Sequence, residues 1–179
     1  MVCDRCITAV QNIFSNLNIS TTSVLLGEVL TPLSLSSIQL EELQKSLKAQ
    51  GFEILQSADE RTVELVKNAI IRLINNLDVQ EGLVLSKYIA NEVGKDYQHL
   101  SRLFSIHENS TLEQYFILQK IEKVKELLLY NENSLTEISH QLGYKSVQHL
   151  SNQFKNVTGF SPTSFRKQEN SKRVPLDQI

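Results

Sequence analysis

The sequence predicts a mainly α-helical protein in which a small α+β domain precedes a larger helical domain. Three observations lead to this fold class. Only three Pro and six Gly interrupt the 179 residues, and apolar residues recur at the 3.6-residue period of a helix. The pattern Gln-His-Leu-Ser also occurs twice, as QHLSRLF at 98–104 and QHLSNQF at 148–154. A polar stretch at 57–61 marks the predicted boundary between a first domain at 1–58 and a second at 61–179.

The composition argues against several classes of protein. Apolar residues make up 41% and charged residues 21% of the chain, as in ordinary globular proteins, and no apolar run approaches the ~20 residues that span a bilayer. The N-terminus lacks the apolar core of a signal peptide, so we expect a cytoplasmic protein with no membrane association. Because we find no paired carboxylates, no nucleophile with a neighbouring base and no phosphate-binding glycine loop, we expect no enzymatic activity.

The net charge of −2 conceals an uneven distribution. Residues 1–60 carry three Lys and Arg against seven Asp and Glu, whereas residues 138–175 carry six Lys and Arg against a single acidic residue, Glu169. A local charge of +5 attracts polyanions. The second domain is therefore where we expect contact with nucleic acid.

The first domain begins with MVCDRC, and Met-x-Cys-x-x-Cys at the start of a helix resembles the metal loop of heavy-metal-associated domains. The resemblance implies a small ferredoxin-like βαββαβ fold, as in copper chaperones and transport ATPases. The remaining pattern agrees in part, with a strand near 23–29 and a last strand after Gly51-Phe-Glu-Ile. Two helices are also predicted. The first should bury Ile7, Val10, Phe14 and Leu17, and the second should bury Leu40, Leu43 and Leu47.

Cys3 and Cys6 are the candidate metal ligands of this domain. Thiolates at a helix N-terminus, where the pKa of a thiol is lowered, could bind a soft ion such as Cu(I), or Zn(II) with added ligands. A lone C-x-x-C supplies only half of a tetrahedral site, so a remnant that binds nothing and a redox pair stay open as alternatives. The first strand of the fold would end just before the motif Met, which here is Met1. We expect a longer reading frame to supply that strand, or a partner chain in a homo-oligomer formed through this domain.

In the second domain, each QHLS segment lies in a helix that follows a shorter helix ending at glycine. The first short helix runs from about Ser86 to Gly94, and the longer helix after it spans about 96–107. Apolar residues on one face of the longer helix are predicted to be buried: Tyr97, Leu100, Leu103 and Phe104. The opposite face carries Gln98, Ser101, Arg102 and Ser105.

The second copy repeats this arrangement. A capping box, Ser134-Leu-Thr-Glu137, starts a short helix that ends at Gly143, and the longer helix spans about 146–157. Its predicted buried stripe is Val147, Leu150, Phe154 and Val157. Its outer face carries Gln148, Ser151, Asn152 and Lys155. Packing does not require two solvent-facing surfaces to agree, so the repeat favours two functional helix-turn-helix units.

A third segment joins the two copies. Ser110-Thr-Leu-Glu113 is a predicted capping box, and the helix that it starts continues to about Tyr130. About 20 residues at 1.5 Å each span ~30 Å, close to the ~34 Å between successive major-groove faces of B-DNA. After the second copy, Ser161 is the predicted N-cap of a closing helix with Pro162 at its first position.

The stretch LTEISHQLGYKSVQHLSNQFKNVTGFSPTSFRK, at 135–167, resembles the DNA-binding signature of AraC/XylS-type transcription regulators. The residues that carry the resemblance are Gly143-Tyr144, Phe154-Lys155, Gly159-Phe160-Ser161-Pro162 and the upstream segment 120–128. Ser139 stands where the family usually has Ala, Lys120 where Arg is commoner, and Leu150 where an aromatic residue is frequent. The resemblance implies a seven-helix double helix-turn-helix module whose third and sixth helices enter adjacent major-groove segments. It also implies RNA polymerase as a partner besides double-stranded DNA.

Carried over by position, the resemblance implies base contacts from both longer helices. The candidates are Gln98, Ser101 and Arg102 in the first, and Val147, Gln148, Ser151 and Asn152 in the second. Gln pairs with adenine, Arg with guanine, and Val contacts the thymine methyl group. We expect phosphate contacts from Lys145, Lys155, Arg166 and Lys167, and helix-edge packing from His99 and His149.

The predicted function is therefore a sequence-specific DNA-binding transcription regulator. The alternative is a metal carrier or metal-gated interaction module that uses Cys3 and Cys6, in which the helical domain docks a partner.

Overall fold

The computed structural model describes residues 3–55 and 57–167. The chain divides into two compact units, residues 1–68 and 69–179. The elements of the first unit are α1 (Asp4–Asn16), β1 (Ser23–Leu25), β2 (Glu28–Leu30), α2 (Ser37–Ala49) and the start of α3 (Ala58–Asn75). Those of the second are the end of α3, then α4 (Leu85–Val93), α5 (Tyr97–Glu108), α6 (Leu112–Tyr130), α7 (Leu135–Gln141), α8 (Val147–Thr158) and α9 (Pro162–Lys167). Within the described ranges, no helix is both long and apolar enough to cross a membrane.

In the first unit, two helices cover one side of a short β-hairpin. β1 and β2 pair in antiparallel register, with Val24 opposite Val29, and these two residues pack against the helices. The hairpin turns at Gly27, whose φ of +80° lies in the left-handed region that favours glycine. The buried core of the unit consists of Val10, Ile13, Phe14, Ile19, Leu43 and Leu47.

The predicted ferredoxin-like fold is not confirmed. Among the described residues, the unit has only two strands of three residues each, and residues 52–55 form no strand. Phe52 and Ile54 still pack against the core, but a strand also needs a hydrogen-bonded neighbour for its backbone groups, and no described strand pairs with this segment. Leu40 was expected to be buried and is 46% exposed, so the buried stripe of α2 is confined to Leu43 and Leu47.

The domain boundary predicted at 57–61 coincides with the start of α3. The Ser57 hydroxyl accepts a hydrogen bond from the Glu60 amide at 2.9 Å, and the Ser57 amide donates to the Glu60 carboxylate at 3.3 Å. The two compact units divide farther along the chain, within α3. The boundary at 57–61 therefore stays a prediction.

In the second unit, α4 with α5 and α7 with α8 form two helix-turn-helix pairs, and α6 contacts α5, α7, α8 and α9. Each pair buries its own apolar stripe. Ile89, Leu100 and Phe104 are almost fully buried in the first pair, and Ile138, Leu142, Leu150 and Phe154 in the second. α6 is buried on most of its circumference. Its Tyr115 ring meets Phe104 edge-on, with centroids 5.3 Å apart. α6 therefore forms the core onto which both pairs pack.

The first turn of α6 differs from the prediction by one residue. Thr111, and not Ser110, is the N-cap: its hydroxyl accepts from the Gln114 amide at 3.1 Å, and the Gln114 side chain accepts from the Thr111 amide at 3.0 Å. Glu113, the predicted partner of Ser110, instead accepts a hydrogen bond from the Tyr97 hydroxyl. The predicted box at Ser134 and Glu137 is confirmed.

Candidate nucleic-acid interface

The outer face of α5 is polar and open to solvent. Asp96 caps the helix, and its carboxylate accepts hydrogen bonds from the Gln98 and His99 amides at 2.9 and 3.1 Å. Leu100, Leu103 and Phe104 are buried on the inner side. Gln98, Arg102 and Ser105 are exposed on the other side, and Ser101 is half-buried. The helix therefore presents an amide, a hydroxyl and a guanidinium group on one surface.

The outer face of α8 repeats this arrangement with two amides. Gln148 and Asn152 are exposed, and the Gln148 Nε2 donates to the Asn152 Oδ1 at 2.9 Å. This bond uses one of the two Nε2 protons and leaves the Gln148 Oε1 as an acceptor, so bidentate pairing with adenine remains geometrically open. Val147 and Ser151 are half-buried beside them.

Val157 departs from the predicted buried stripe of α8. It is 40% exposed, whereas Leu150 and Phe154 are fully buried. The Phe154 ring packs edge-on against Phe165 of α9, with centroids 5.4 Å apart. Val157 lies about one turn beyond Phe154, next to the last residue of α8, Thr158, which Gly159 caps. The last turn of α8 is thus less covered than the sequence period suggests.

Four exposed cations lie near α8. Lys145 lies in the turn before the helix, Lys155 lies on its outer side, and Arg166 and Lys167 end α9. The Arg166 guanidinium donates to the Asn133 carbonyl at 3.0 Å, which ties α9 to the segment before α7. Lys145 and Lys155 flank the Gln148 and Asn152 surface along the helix. The rest of the basic segment, residues 168–175, lies outside the described residues.

Sequence reasoning missed a cluster behind α8, centred on Tyr144. The Lys120 Nζ lies 3.6 Å from the centroid of the Tyr144 ring, and burial lowers the pKa of that lysine to about 8. The Tyr144 hydroxyl donates to the Gln153 Oε1 at 2.8 Å, and His149 packs edge-on against the same ring. Lys120 within the apolar run of α6 was the available signal, although the sequence alone does not identify its partner.

Cys3 and Cys6 lie together at the start of α1. Cys3 is the N-cap residue, and the two sulfurs are 3.5 Å apart. In the part of the chain that the structure describes, no three His, Cys, Asp or Glu side chains cluster in a way that could hold a metal ion. The described residues therefore supply two of the four ligands of a tetrahedral site. Met1 of the motif lies outside them.

The helical domain is similar to known helix-turn-helix proteins. Residues 89–168 match the family model of a helix-turn-helix domain. The chain is 28% identical over 105 residues to an uncharacterised HTH-type transcriptional regulator of Pseudoalteromonas carrageenovora, and the match covers 58% of this chain and 59% of that protein. It is 33% identical over 76 residues to the raffinose operon regulatory protein RafR of Pediococcus pentosaceus, which covers 40% of this chain and 27% of that one.

A solved structure gives the same result at the level of the fold. The chain superposes with a TM-score of 0.51 on a transcriptional regulator with an AraC-type DNA-binding domain from Chromobacterium violaceum, at 19% identity, covering 64% of this chain and all of that one. The chain spans less than two thirds of the relatives that it matches by sequence. None of these matches supports the heavy-metal-associated resemblance of the first domain. Residues 89–168 thus match a helix-turn-helix domain, and the chain shares its fold with a solved AraC-type DNA-binding domain.

Proposed function

We propose that the protein is a sequence-specific regulator of transcription that binds double-stranded DNA through two recognition helices, α5 and α8, in adjacent major-groove segments. The observation that carries the proposal is the equivalence of their outer faces. Gln98 and Gln148 are both exposed, Ser101 and Ser151 are both half-buried, and each pair occupies the same position relative to a fully buried Leu and Phe. Folding requires agreement of the inner faces only, so agreement of the outer faces indicates a shared ligand.

The length of α6 supports simultaneous binding by both helices. α6 has 19 residues, or about 28 Å at 1.5 Å per residue, and it contacts both α5 and α8. Successive turns of one face of B-DNA are ~34 Å apart. A single chain can therefore place two recognition helices about one helical turn apart, as a dimeric repressor does with two chains.

The side chains on these faces suit base recognition. Arg102 has the planar fork that pairs bidentately with guanine, and Gln98, Gln148 and Asn152 can pair with adenine. Val147 can contact a thymine methyl group, and Ser101 and Ser151 can bond to either kind of base edge. Because Arg102 of α5 is replaced by Asn152 in α8, the two half-sites should differ in sequence.

The basic residues supply contacts that do not depend on sequence. Lys145, Lys155, Arg166 and Lys167 are exposed and can neutralise phosphates, which fixes the position of the protein on the duplex. Each phosphate contact lowers the slope of log K against log salt by about 0.9. We therefore expect affinity for DNA to fall steeply as salt is raised.

Selection of bound DNA from a random duplex pool tests the proposal. The full chain should enrich a site with two unlike segments about one helical turn apart, and the affinity for that site should fall with salt at the slope given above. Recovery of no common sequence, or an affinity independent of salt, would contradict it. RNA polymerase and a second copy of the chain, assembled through residues 1–58, are further partners that we propose.

The alternative function, a metal carrier or metal-gated interaction module, is favoured by one observation, the 3.5 Å separation of the Cys3 and Cys6 sulfurs. In a tetrahedral zinc site with Zn–S bonds of ~2.3 Å, two sulfurs lie about 3.8 Å apart, so the pair could form one edge of such a site. Repeating the selection with Zn(II) or Cu(I) separates the alternatives. A pure carrier binds the ion and enriches no DNA sequence, whereas a metal-gated regulator enriches its site in only one metal state.

A further inference from the structure

Tyr144 joins the turn of the second helix-turn-helix to its outer helix. The residue lies between α7 and α8 and is 3% exposed. Its amide donates to the Ser139 carbonyl of α7 at 2.9 Å, and its hydroxyl donates to the Gln153 Oε1 of α8 at 2.8 Å. The His149 ring of α8 meets the Tyr144 ring at 83°, with centroids 5.4 Å apart. Both helices of the pair are thus held to one aromatic side chain.

The same ring is held from a third direction by α6. The Lys120 Nζ lies 3.6 Å from its centroid, with Phe116 of the same helix at 5.5 Å. Lys120 is 7% exposed, and an ammonium buried against an aromatic face gains a cation–π attraction that strengthens when water is excluded. This contact connects the turn between α7 and α8 to α6, which also packs against α5.

A second contact fixes the same turn. The Val79 amide donates to the Gln141 carbonyl at 3.1 Å, and Gly143 lies against the Val79 and Gln80 carbonyls with no room for a side chain. The turn from 141 to 144 therefore contacts two other parts of the domain: the segment that precedes α4, through Val79 and Gln80, and α6, through Lys120. The segment at 79–80 runs into α4, and α6 contacts α5, so both contacts link the turn to the first helix-turn-helix.

We infer that Lys120 and Tyr144 are positioning residues that set the spacing of the two half-sites that this protein accepts. The inference rests on the proposed function, and goes beyond it by assigning spacing specificity to groups that touch no DNA. One base pair corresponds to ~3.4 Å of rise and about a tenth of a turn. A small rotation of α8 on α6 therefore decides whether a half-site displaced by one base pair can be reached.

The test uses the full chain and three operators: the selected sequence, and the same sequence with one base pair added or removed between its half-sites. The wild type should discriminate against the altered spacings by about tenfold or more, a difference of the size of one mismatched contact. Lys120→Met keeps the apolar stem and removes the charge, and Tyr144→Phe removes only the hydroxyl that holds Gln153. Both should reduce that discrimination at least threefold.

Two further variants separate positioning from a loss of stability. Lys120→Arg retains a cation over the ring and should restore the wild-type ratio. Lys123→Met is the matched control, since Lys123 lies on the same helix but is paired with Glu126 at 2.9 Å and lines a small pocket with Ile71 and Ile74. It should leave the ratio unchanged. Circular dichroism on each variant establishes that the fold is intact.

The outcomes are distinguishable from failure of the proposed function. If the wild type binds no DNA sequence selectively, the proposed function fails. If it binds selectively and Lys120→Met or Tyr144→Phe weakens binding equally at all three spacings, then the residues are merely structural and the inference is overturned. Tolerance of all three spacings by the wild type would overturn it as well.

Discussion

The carbonyl oxygen of Val79 occupies the space where a side chain on Gly143 would lie. A Cβ added at Gly143 would stand 2.6 Å from that oxygen and 2.9 Å from the Gln80 carbonyl, and Gly143 itself has φ = +63°. Glycine is required here for two reasons, the left-handed backbone and the close approach of a second segment of backbone. The turn of the second helix-turn-helix is thus also a packing surface for the segment between α3 and α4.

Gly143→Ala should be more destabilising than the same change at Gly94. Gly94 has φ = +69° and nothing within 4 Å of an added Cβ, so Gly94→Ala meets only the left-handed strain of about 1–2 kcal/mol. At Gly143 the backbone of Val79 must also move, which adds about 1–3 kcal/mol of overpacking. Urea unfolding measures both changes in the free energy of unfolding, and equal values would contradict the close contact.

The stability of the wild type should rise with pH relative to that of Lys120→Met. Burial lowers the pKa of Lys120 from 10.5 to about 8, so between these values the unfolded chain holds a proton that the folded chain has released. The free energy of unfolding therefore gains nothing from this pKa difference at pH 7. It increases as the pH rises from about 8 to 10.5, by at most about 3 kcal/mol. Unfolding free energies of both proteins at several pH values test this. Parallel curves would show that Lys120 is not desolvated.

Removing one member of the buried Lys125–Glu122 ion pair should be strongly destabilising. The two side chains are 11% and 6% exposed, so Lys125→Met leaves a carboxylate buried without its counter-ion, at a cost of roughly 3–5 kcal/mol. The double variant Lys125→Met with Glu122→Leu should recover most of that loss, since apolar residues of similar volume replace both charges. Thermal and urea unfolding of the two variants give the comparison, and an additive double variant would exclude coupling.

Thr111→Ala should destabilise the protein by about 1 kcal/mol, the typical value for loss of an N-cap hydroxyl. Ser110→Ala should change stability by less than half of that, because the Gln114 amide is capped by Thr111 and not by its neighbour. The pair of substitutions differs by one position in the chain, which makes each the control for the other. The reverse order of effects would restore the capping box expected from the sequence.

Most helices of the second unit follow from local sequence patterns. The buried Leu and Phe of each QHLS segment, the cap at Ser134 and the glycine after α4 are all fixed by neighbours a few residues away. The cap of α6 is different, because Ser110 with Glu113 and Thr111 with Gln114 both fit the same pattern. The Tyr97 hydroxyl, which belongs to α5, donates a hydrogen bond to the Glu113 carboxylate. Which of the two capping boxes forms therefore depends on a contact from another helix.

Features that depend on distant parts of the chain were predicted less well. The segment 52–55 has the composition of a strand, yet strand formation needs a paired neighbour, which the described residues do not provide. The outward residues of α5 and α8 were recognisable because they repeat, whereas Lys120 and Tyr144 do not repeat. Their contact is set by the packing of α6 against the α7–α8 turn, which no local periodicity encodes.

The most direct test of two recognition helices measures how each base-pair substitution in the selected duplex changes the affinity of the Arg102→Ala and Gln148→Ala variants. Each variant should lose about 1–3 kcal/mol of discrimination at positions within its own half-site and keep the preference in the other. Lys155→Ala, as a phosphate-contact control, should weaken binding to all sequences alike. Unchanged preferences in both variants, or a loss at the same base pairs in both, would contradict the account.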